Sequence, residues 1–375
     1  MPVQQPIKGV ATHRVSRAIL SSAPARRLDA FQQRHGWLGF TYAVYQKFVD
    51  DRAASFASML SYYGFASFVP LLLVFVSILG FLSFGRLTVD SATLAALVGT
   101  IPLVGDDLVS PRFRGSLPAL LLGAAVTLWS AIGITQQAQL AFNTVYNLPR
   151  KDWLTYGSRT LRSVIAVLVG GPGFIAAIVV SVAVVGTERD VLSFPIALRI
   201  VGGVLLIVVN TTMHTLFFRL LTAEHPRWRT TWRGALFAGV GWSVVQVLAA
   251  WLSAYKLNEA AAPYRTFAAV LGLLALFHVL GMVTLWGAEM NYVRARVLWP
   301  RGLFSIIRVP TTPADQRSYR GYLQRGLFAS GGHEQVEVAF SNDPAGALDT
   351  VDGRDDPTPT VEQAEPESES EMPRP

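Results

Sequence analysis

Six stretches of this chain contain no charged residue, and they constrain its fold more than any other feature. Within each of them no Asp, Glu, Lys or Arg occurs over 19 to 35 consecutive residues. About 20 predominantly apolar residues of α-helix cross the hydrocarbon core of a bilayer, so each stretch can form one membrane span. The six spans predicted from them are residues 56–84, 118–144, 163–186, 195–218, 234–255 and 266–290.

The composition agrees with a membrane protein. Hydrophobic residues make up 51% of the chain and charged residues only 15%, against about a quarter charged in soluble domains. The sequence therefore predicts an all-α, polytopic integral membrane protein with six transmembrane helices. The first and third spans contain Pro70 and Pro172, and because an internal proline removes a helical hydrogen bond, we expect kinks in both.

The basic residues divide unequally between the two sets of span ends. Fifteen lysines and arginines flank one set and seven flank the other. The positive-inside rule predicts that both chain termini lie in the cytoplasm, and an even number of spans agrees with this because it places both termini on the same side. The first charge-free stretch begins at residue 53 and is longer than the apolar part of a signal peptide, so we expect it to remain as a membrane anchor.

The segments outside the spans differ in charge. Residues 326–375 carry 12 acidic residues against two arginines, which predicts a disordered cytoplasmic tail. Residues 1–325 carry 30 basic and 13 acidic residues, and this basic face suits anionic lipid headgroups, although ordinary topology signals would look the same. The remaining segments are a partly disordered cytoplasmic N-terminus at 1–35 and a basic juxtamembrane segment at 294–325.

A helix is predicted immediately before the first span, over residues 36–52. Trp37, Phe40, Val44 and Phe48 recur at spacings of three and four, while Lys47 falls on another face. This pattern is typical of an amphipathic helix that lies in the membrane interface with its aromatic side among the headgroups. The alternative is a soluble helix packed on the cytoplasmic loops.

Polar side chains occur inside the second and fourth spans. Gln136, Gln139 and Asn143 share one helical face of the second span. They either hydrogen-bond neighbouring helices or line a polar route for a lipid headgroup. Asn210 and His214 lie one turn apart in the fourth span, where a histidine can relay protons or serve as a hydrogen-bonded packing residue.

The sixth span carries His278 and Glu289, which return to nearly the same helical face 11 residues apart. Arg294 and Arg296 follow directly. Glu289 can therefore form a plain interfacial ion pair with them. Alternatively, it can gate a cytoplasmic opening by pairing with an arginine of another helix.

Signatures of catalysis are lacking. The chain has no cysteine, and its six histidines form no HExxH pair or close cluster. The GGPG segment lacks the lysine of a phosphate-binding loop, and no GxSxG elbow occurs. We therefore expect neither metal, cofactor nor enzymatic activity. No nucleic-acid-binding module accompanies the positive charge, so nucleic acid is not expected as a partner.

Four segments of the chain resemble the YihY/BrkB family of bacterial inner-membrane proteins, and in particular its YhjD-like branch. They read ASFASMLSYYGFASFVPLLLVFVSILGF, FNTVYNLPRKDW, HPRWRTTWRGALFAG and AAVLGLLALFHVLGMVTLWGAEMNYVRARV. The resemblance covers about residues 30–300. The positions that carry the family marks are Tyr62, Tyr63, Pro70, Asn143, Tyr146, Gly287, Ala288, Glu289 and Asn291.

The resemblance implies a six-helix integral membrane protein linked to envelope integrity. For the YhjD-like branch it also implies the movement of lipid-A-type precursors or other anionic lipids. An old label of the family, ribonuclease BN, implies a nuclease, but the sequence offers no metal-hydrolase motif.

Three hypotheses follow for the function. The first is a transporter or flippase-like protein for anionic lipids or lipid-linked envelope precursors, in which the segment from Tyr62 to Pro70 faces inward and meets spans two and six. The second is a non-transporting scaffold that binds envelope-assembly proteins and uses its polar residues only to join helices. A membrane-associated ribonuclease ranks last.

Overall fold

A computed structural model describes residues 23–83, 117–185, 196–256, 262–303 and 312–326, and these ranges are almost entirely helical. The predicted all-α class is confirmed for this part of the chain. The acidic tail beyond residue 326 and the first 22 residues lie outside the described residues. The described α-helices are α1 (Ala23–Arg34), α2 (Gly36–Asp50), α3 (Ala53–Ser83), α4 (Leu117–Val145), α5 (Tyr156–Val185), α6 (Ile196–Leu220), α7 (Trp228–Lys256), α8 (Ala262–Arg296) and α9 (Pro313–Arg325).

Helices α3 to α8 are long, at 25 to 35 residues each. At about 1.5 Å per residue, each is longer than the hydrocarbon core is thick. By length and composition, two described segments are apolar enough to cross a membrane, Ile200–Leu220 and Val270–Arg296. Pro70 and Pro172 each lie inside one continuous helix, so the kinks stay a prediction.

Helix α8 lies at the centre of the packing, against α2, α3, α4 and α7, while α5 packs on α6. Glycines permit its closest crossings. A Cβ atom on Gly281 would lie 3.2 Å from the Cα of Ala57 in α3. A Cβ on Gly234 of α7 would overlap the carbonyl oxygen of Gly287 in α8. The helix backbones therefore meet directly at both crossings, as small residues allow in membrane helices.

Helix α2 differs from the interfacial helix predicted for it. Val44 and Phe48 are buried in the protein core, and the Phe48 ring stacks on Trp286 of α8 with centroids 4.7 Å apart. These two side chains of the predicted headgroup face thus contact protein, which agrees with the alternative of a helix packed on the cytoplasmic side. Trp37 and Tyr45 are exposed instead. The reason is that α8 extends far enough to offer α2 an apolar surface.

Helix α9 packs at the end of the molecule where most of the lysines and arginines flank the long helices, called the basic end. It begins at a capping box, in which the Thr312 hydroxyl accepts a hydrogen bond from the Asp315 backbone N–H at 3.1 Å and the Asp315 carboxylate accepts one from the Thr312 N–H at 3.2 Å. Such reciprocal bonds satisfy the first free N–H groups of a helix. The cap fixes the direction of α9, which carries Tyr322 and Arg325 onto α2.

Candidate functional site

Lys47 lies at the centre of a buried charge cluster that consists of Lys47, Asp51, Glu289 and Arg325. Its side chain is fully buried between α2, α4 and α8. The ammonium forms an ion pair with Asp51 one turn later and donates a hydrogen bond to the carbonyl of Val145, N···O 2.7 Å. Val145 ends α4, and because the last carbonyls of a helix lack intrahelical donors, a cation is favoured there.

The two carboxylates of the cluster have unequal surroundings. Asp51 pairs with Lys47 and also accepts a hydrogen bond from the Arg325 Nη1 at 2.8 Å. Glu289 is fully buried, and one of its oxygens lies 3.2 Å from the Lys47 ammonium. Apart from this ion pair, neither oxygen of Glu289 accepts a well-aligned hydrogen bond from a residue in the described ranges. The charge of Glu289 is thus balanced by one cation, contributed by a different helix.

The cluster keeps the lysine protonated. Burial by itself lowers the pKa of Lys47, because it removes water from the ammonium. The nearby carboxylates of Asp51 and Glu289 outweigh this effect and raise the pKa of Lys47 above its ordinary value. The ring of Tyr292, with its centroid 4.6 Å from the ammonium, adds a cation–π contact. Lys47 therefore carries a positive charge at neutral pH.

Tyr146 and Asn291 are buried near Glu289 with hydrogen-bonding capacity left over. The Tyr146 hydroxyl and the Asn291 side chain are neighbours, but neither the hydroxyl nor the Asn291 Nδ2 forms a well-aligned hydrogen bond with a described residue. The pKa of Tyr146 is raised, mainly by burial and further by the charge of Glu289. The Asn291 Oδ1 does accept a bond, from the Gly234 N–H at 2.8 Å. Unpartnered buried polar groups are uncommon in proteins, so their presence beside Glu289 calls for an explanation.

A second set of ionic contacts attaches α9 to the rest of the protein. Arg301 is buried and pairs with Asp315 at 3.1 Å and with Asp50 at 3.0 Å. The Tyr322 hydroxyl donates a hydrogen bond to the same Asp50 carboxylate at 2.9 Å. By sequence alone, Arg301 is one of the fifteen basic residues that predict the cytoplasmic side. In the structure it joins α2 to α9 and thereby holds Arg325 beside Asp51.

The polar face predicted in the second span contacts two neighbours. The Gln139 Nε2 donates to the backbone carbonyl of Arg159 at 3.0 Å and to the Ser163 hydroxyl at 2.9 Å, both in α5. The Gln136 Nε2 reaches the Thr160 hydroxyl of α5 at 3.5 Å. The Asn143 Oδ1 accepts the N–H of Ala223, 3.0 Å away, in the link that follows α6. All three side chains thus contact other helices or links.

Asn210 and His214 belong to a polar network that joins α6, α7 and α8. The Asn210 Nδ2 donates to the Ser243 hydroxyl at 3.0 Å and to the Gln246 Oε1 at 2.9 Å, both in α7. The His214 Nδ1 faces the carbonyl of Asn210 at 2.8 Å, and its Nε2 faces the Thr284 hydroxyl of α8 at 3.2 Å. Both ring nitrogens of this buried histidine therefore have partners.

Replacing Thr284 by valine is expected to lower the free energy of unfolding by about 0.6–1.7 kcal/mol. The substitution keeps the shape of the side chain but leaves the His214 Nε2 without its partner and removes one contact of Trp242. Unfolding of the purified protein in mixed micelles measures the loss. Thr212→Val is the matched control, because that hydroxyl bonds only within α6, to the carbonyl of Val208; equal losses in both variants would contradict the prediction.

The inward placement predicted for the segment from Tyr62 to Pro70 agrees with the position of Tyr63 and is wrong for Tyr62. Tyr62 is 65% exposed. The Tyr63 ring packs on Gly133 of α4, where a Cβ would lie 2.6 Å from it. Successive helical residues point about 100° apart, so only one of the pair can face the bundle. The His278 Nδ1 of α8 lies 3.4 Å from the Ser58 hydroxyl of α3. Pro70 lies about two turns beyond Tyr63 in α3.

Glu289 also has a partner that sequence reasoning missed. Both interpretations assigned it an arginine, but its cation is Lys47, and Arg294 and Arg296 are exposed. Two patterns indicate other parts of the site but not this contact: the spacing of four between Lys47 and Asp51, and the Thr-Pro-x-Asp start of α9. The site residues absent from the sequence-based set are Lys47, Asp51, Tyr292, Arg301, Tyr322 and Arg325.

Comparison with known proteins gives two matches. A family model described as virulence factor BrkB matches residues 44–301. The inner membrane protein YhjD of Escherichia coli (strain K12) is 22% identical over 295 residues, which cover 69% of this chain and 83% of that relative. No solved structure matches. The family match includes Lys47, Asp51 and Glu289 and ends before α9.

Proposed function

Because this chain belongs to the virulence factor BrkB family, we propose that it is a six-span protein of the bacterial inner membrane that moves anionic lipids or lipid-linked envelope precursors between leaflets. Its relative from Escherichia coli is an inner membrane protein. We propose no enzymatic reaction for this chain. Both termini lie in the cytoplasm, at the end of the molecule that carries α2 and α9.

The outer surface of the long helices supports this placement. Large apolar side chains are exposed along α4, α5, α6 and α7. A soluble protein rarely exposes so much apolar surface, whereas lipid tails cover it without cost. The exposed side chains include Leu121, Leu122, Trp129, Leu161, Leu168, Ile200, Val201, Val204, Val208, Val244 and Leu248.

One observation carries the transport proposal: Glu289 is fully buried, near the end of an apolar helix, with a single cation and, apart from that ion pair, no well-aligned hydrogen bond from the described residues. Ionisable groups at such places are costly and are associated with substrate or ion pathways. In our proposal the Lys47–Glu289 pair is a cytoplasmic gate. While the pair is closed, it ties α2 to α8; when it opens, Lys47 becomes available to an anionic headgroup.

The scaffold hypothesis keeps support from a different observation. Gln139, Asn210 and His214 all have inter-helix partners, as expected of residues that only join helices. On this second proposal the charge cluster is a static joint and the envelope-assembly partners bind the cytoplasmic face.

Leaflet exchange of a fluorescent anionic lipid in reconstituted vesicles tests the two proposals. We compare the wild-type protein with Glu289→Gln, which keeps the size of the side chain but removes the charge that holds Lys47. Asp152→Asn is the control, because it removes one acidic charge from an exposed position at the same end. We expect exchange by the wild-type protein, exchange about tenfold faster in Glu289→Gln because the gate no longer closes, and no change in the control.

The outcomes separate the proposals. Exchange equal to that of empty vesicles would overturn transport and favour the scaffold. Exchange that is present but equal in the wild-type protein and Glu289→Gln would retain transport and remove the gate.

A further inference from the structure

We infer that the corner formed by α5, α6 and α7 at the basic end binds the phosphate group of an anionic lipid. The corner consists of Arg162, Arg219 and Trp228. This inference rests on the proposed function for the membrane orientation alone, since a bound lipid does not require lipid movement.

Arg219 is the central residue of the corner. Its guanidinium lies over the ring of Trp228, with Cζ 4.1 Å from the ring centroid. Its Nη1 is buried and has no hydrogen-bond partner in the described part of the chain. Stacking fixes the plane of a guanidinium, and a planar fork of donors matches the oxygens of a phosphate. Arg219 is thus oriented and has a donor to give.

A second guanidinium, that of Arg162, contacts the link between α6 and α7. The Arg162 Nη1 donates to the carbonyl of Thr222 at 3.1 Å, three residues after Arg219. This leaves the other donors of Arg162 for a ligand. The backbone of the link is held from the opposite side, since the Asn143 Oδ1 accepts the Ala223 N–H at 3.0 Å. The corner is therefore a fixed feature of the fold.

The charge of the corner is uncompensated, unlike that of the neighbouring clusters. Arg301 and Arg325 pair with aspartates. Among the described residues, no ion pair joins a carboxylate to Arg162 or Arg219. The segments around the corner, residues 156–162 and 219–233, contain six arginines and one acidic residue, Glu224. The arginines are Arg159, Arg162, Arg219, Arg227, Arg229 and Arg233.

The surface beside the corner indicates a lipid rather than a free anion. Exposed apolar side chains follow α7 at every fourth residue from Trp232, one turn after Trp228, along a strip that turns about 40° around the helix at each step. They are Trp232, Leu236, Val240, Val244 and Leu248. Sixteen residues of helix extend about 24 Å, enough for an acyl chain. Basic pockets beside membrane helices on the cytoplasmic side favour such headgroups.

Native mass spectrometry of the full-length protein in detergent, titrated with phosphatidylglycerol or with phosphatidylcholine, tests this site. We expect preferential binding of phosphatidylglycerol and a loss of about fivefold to tenfold in its affinity in Arg219→Gln. Arg294→Gln is the matched control, because Arg294 is an exposed arginine at the same end, on α8. Arg219→Lys keeps the charge without the stacked plane, so we expect an intermediate loss.

Soluble glycerol phosphate distinguishes a lipid from its headgroup. We expect glycerol phosphate not to displace phosphatidylglycerol at equal concentration, because it has no acyl chain to contact the apolar strip of α7. Equal competition would overturn the lipid site in favour of a simple anion site. Equal affinity in Arg219→Gln and Arg294→Gln would overturn the role of the corner. Lipid retained without leaflet exchange would leave this inference standing and remove transport, whereas exchange that persists without retained lipid would do the reverse.

Discussion

Replacing Lys47 by methionine is expected to lower the free energy of unfolding by about 3–5 kcal/mol. The ammonium is fully buried and balances Asp51 and Glu289. Methionine fills similar space but leaves the two carboxylates with Arg325 as the remaining cation of the cluster, on the far side of Asp51. The carbonyl of Val145 also loses its donor. Unfolding of the purified variant in mixed micelles, followed by circular dichroism, measures the loss.

Lys151→Met is the control for Lys47→Met, because Lys151 is exposed at the same end of the molecule. We expect it to change the unfolding free energy by less than about 0.5 kcal/mol. Adding Glu289→Gln to Lys47→Met removes one of the stranded charges and should restore part of the stability. A double variant less stable than Lys47→Met, or a Lys47→Met variant as stable as Lys151→Met, would show that the three charges do not act as one unit.

The helical architecture could be predicted from the sequence because it depends on local composition. A charge-free run in which apolar residues dominate has few alternatives to a long helix, and the structure has a long helix at each of the six predicted positions. Membrane crossing is a separate question from helix formation, and among the described residues two segments are long and apolar enough to cross a membrane. The orientation and the number of spans are parts of the proposed function.

The charge cluster could not be predicted in the same way, because it depends on contacts between distant segments. Lys47 precedes Glu289 by more than 200 residues, and on α2 it looks like a solvated lysine beside an apolar stripe. A lysine near a membrane boundary is usually a topology signal. Burial by α4, α8 and α9 changes its role, and nothing local to residues 36–52 reports that burial.

Replacing Gly234 by alanine is expected to disrupt the contact between α7 and α8 and to lower the free energy of unfolding by about 1–3 kcal/mol or more. The added Cβ would overlap the carbonyl oxygen of Gly287 and lie 2.6 Å from the Asn291 Cγ. The first of these is backbone, which cannot rotate away. Separation of the helices would also lengthen the bond from the Gly234 N–H to Asn291. Thermal unfolding monitored by size-exclusion chromatography measures the effect.

Gly272→Ala is the control within α8, because nothing lies within 4 Å of the Cβ that it adds. A glycine inside a helix costs about 0.5–1 kcal/mol relative to alanine, so this substitution should be neutral or stabilising. The same chemical change is thus expected to have opposite signs at two glycines of the helix pair. If Gly234→Ala were as stable as Gly272→Ala, the helices would not be in backbone contact at Gly234. The Asn291 side chain would then not be held there, and the position of Glu289, two residues earlier, would need another cause.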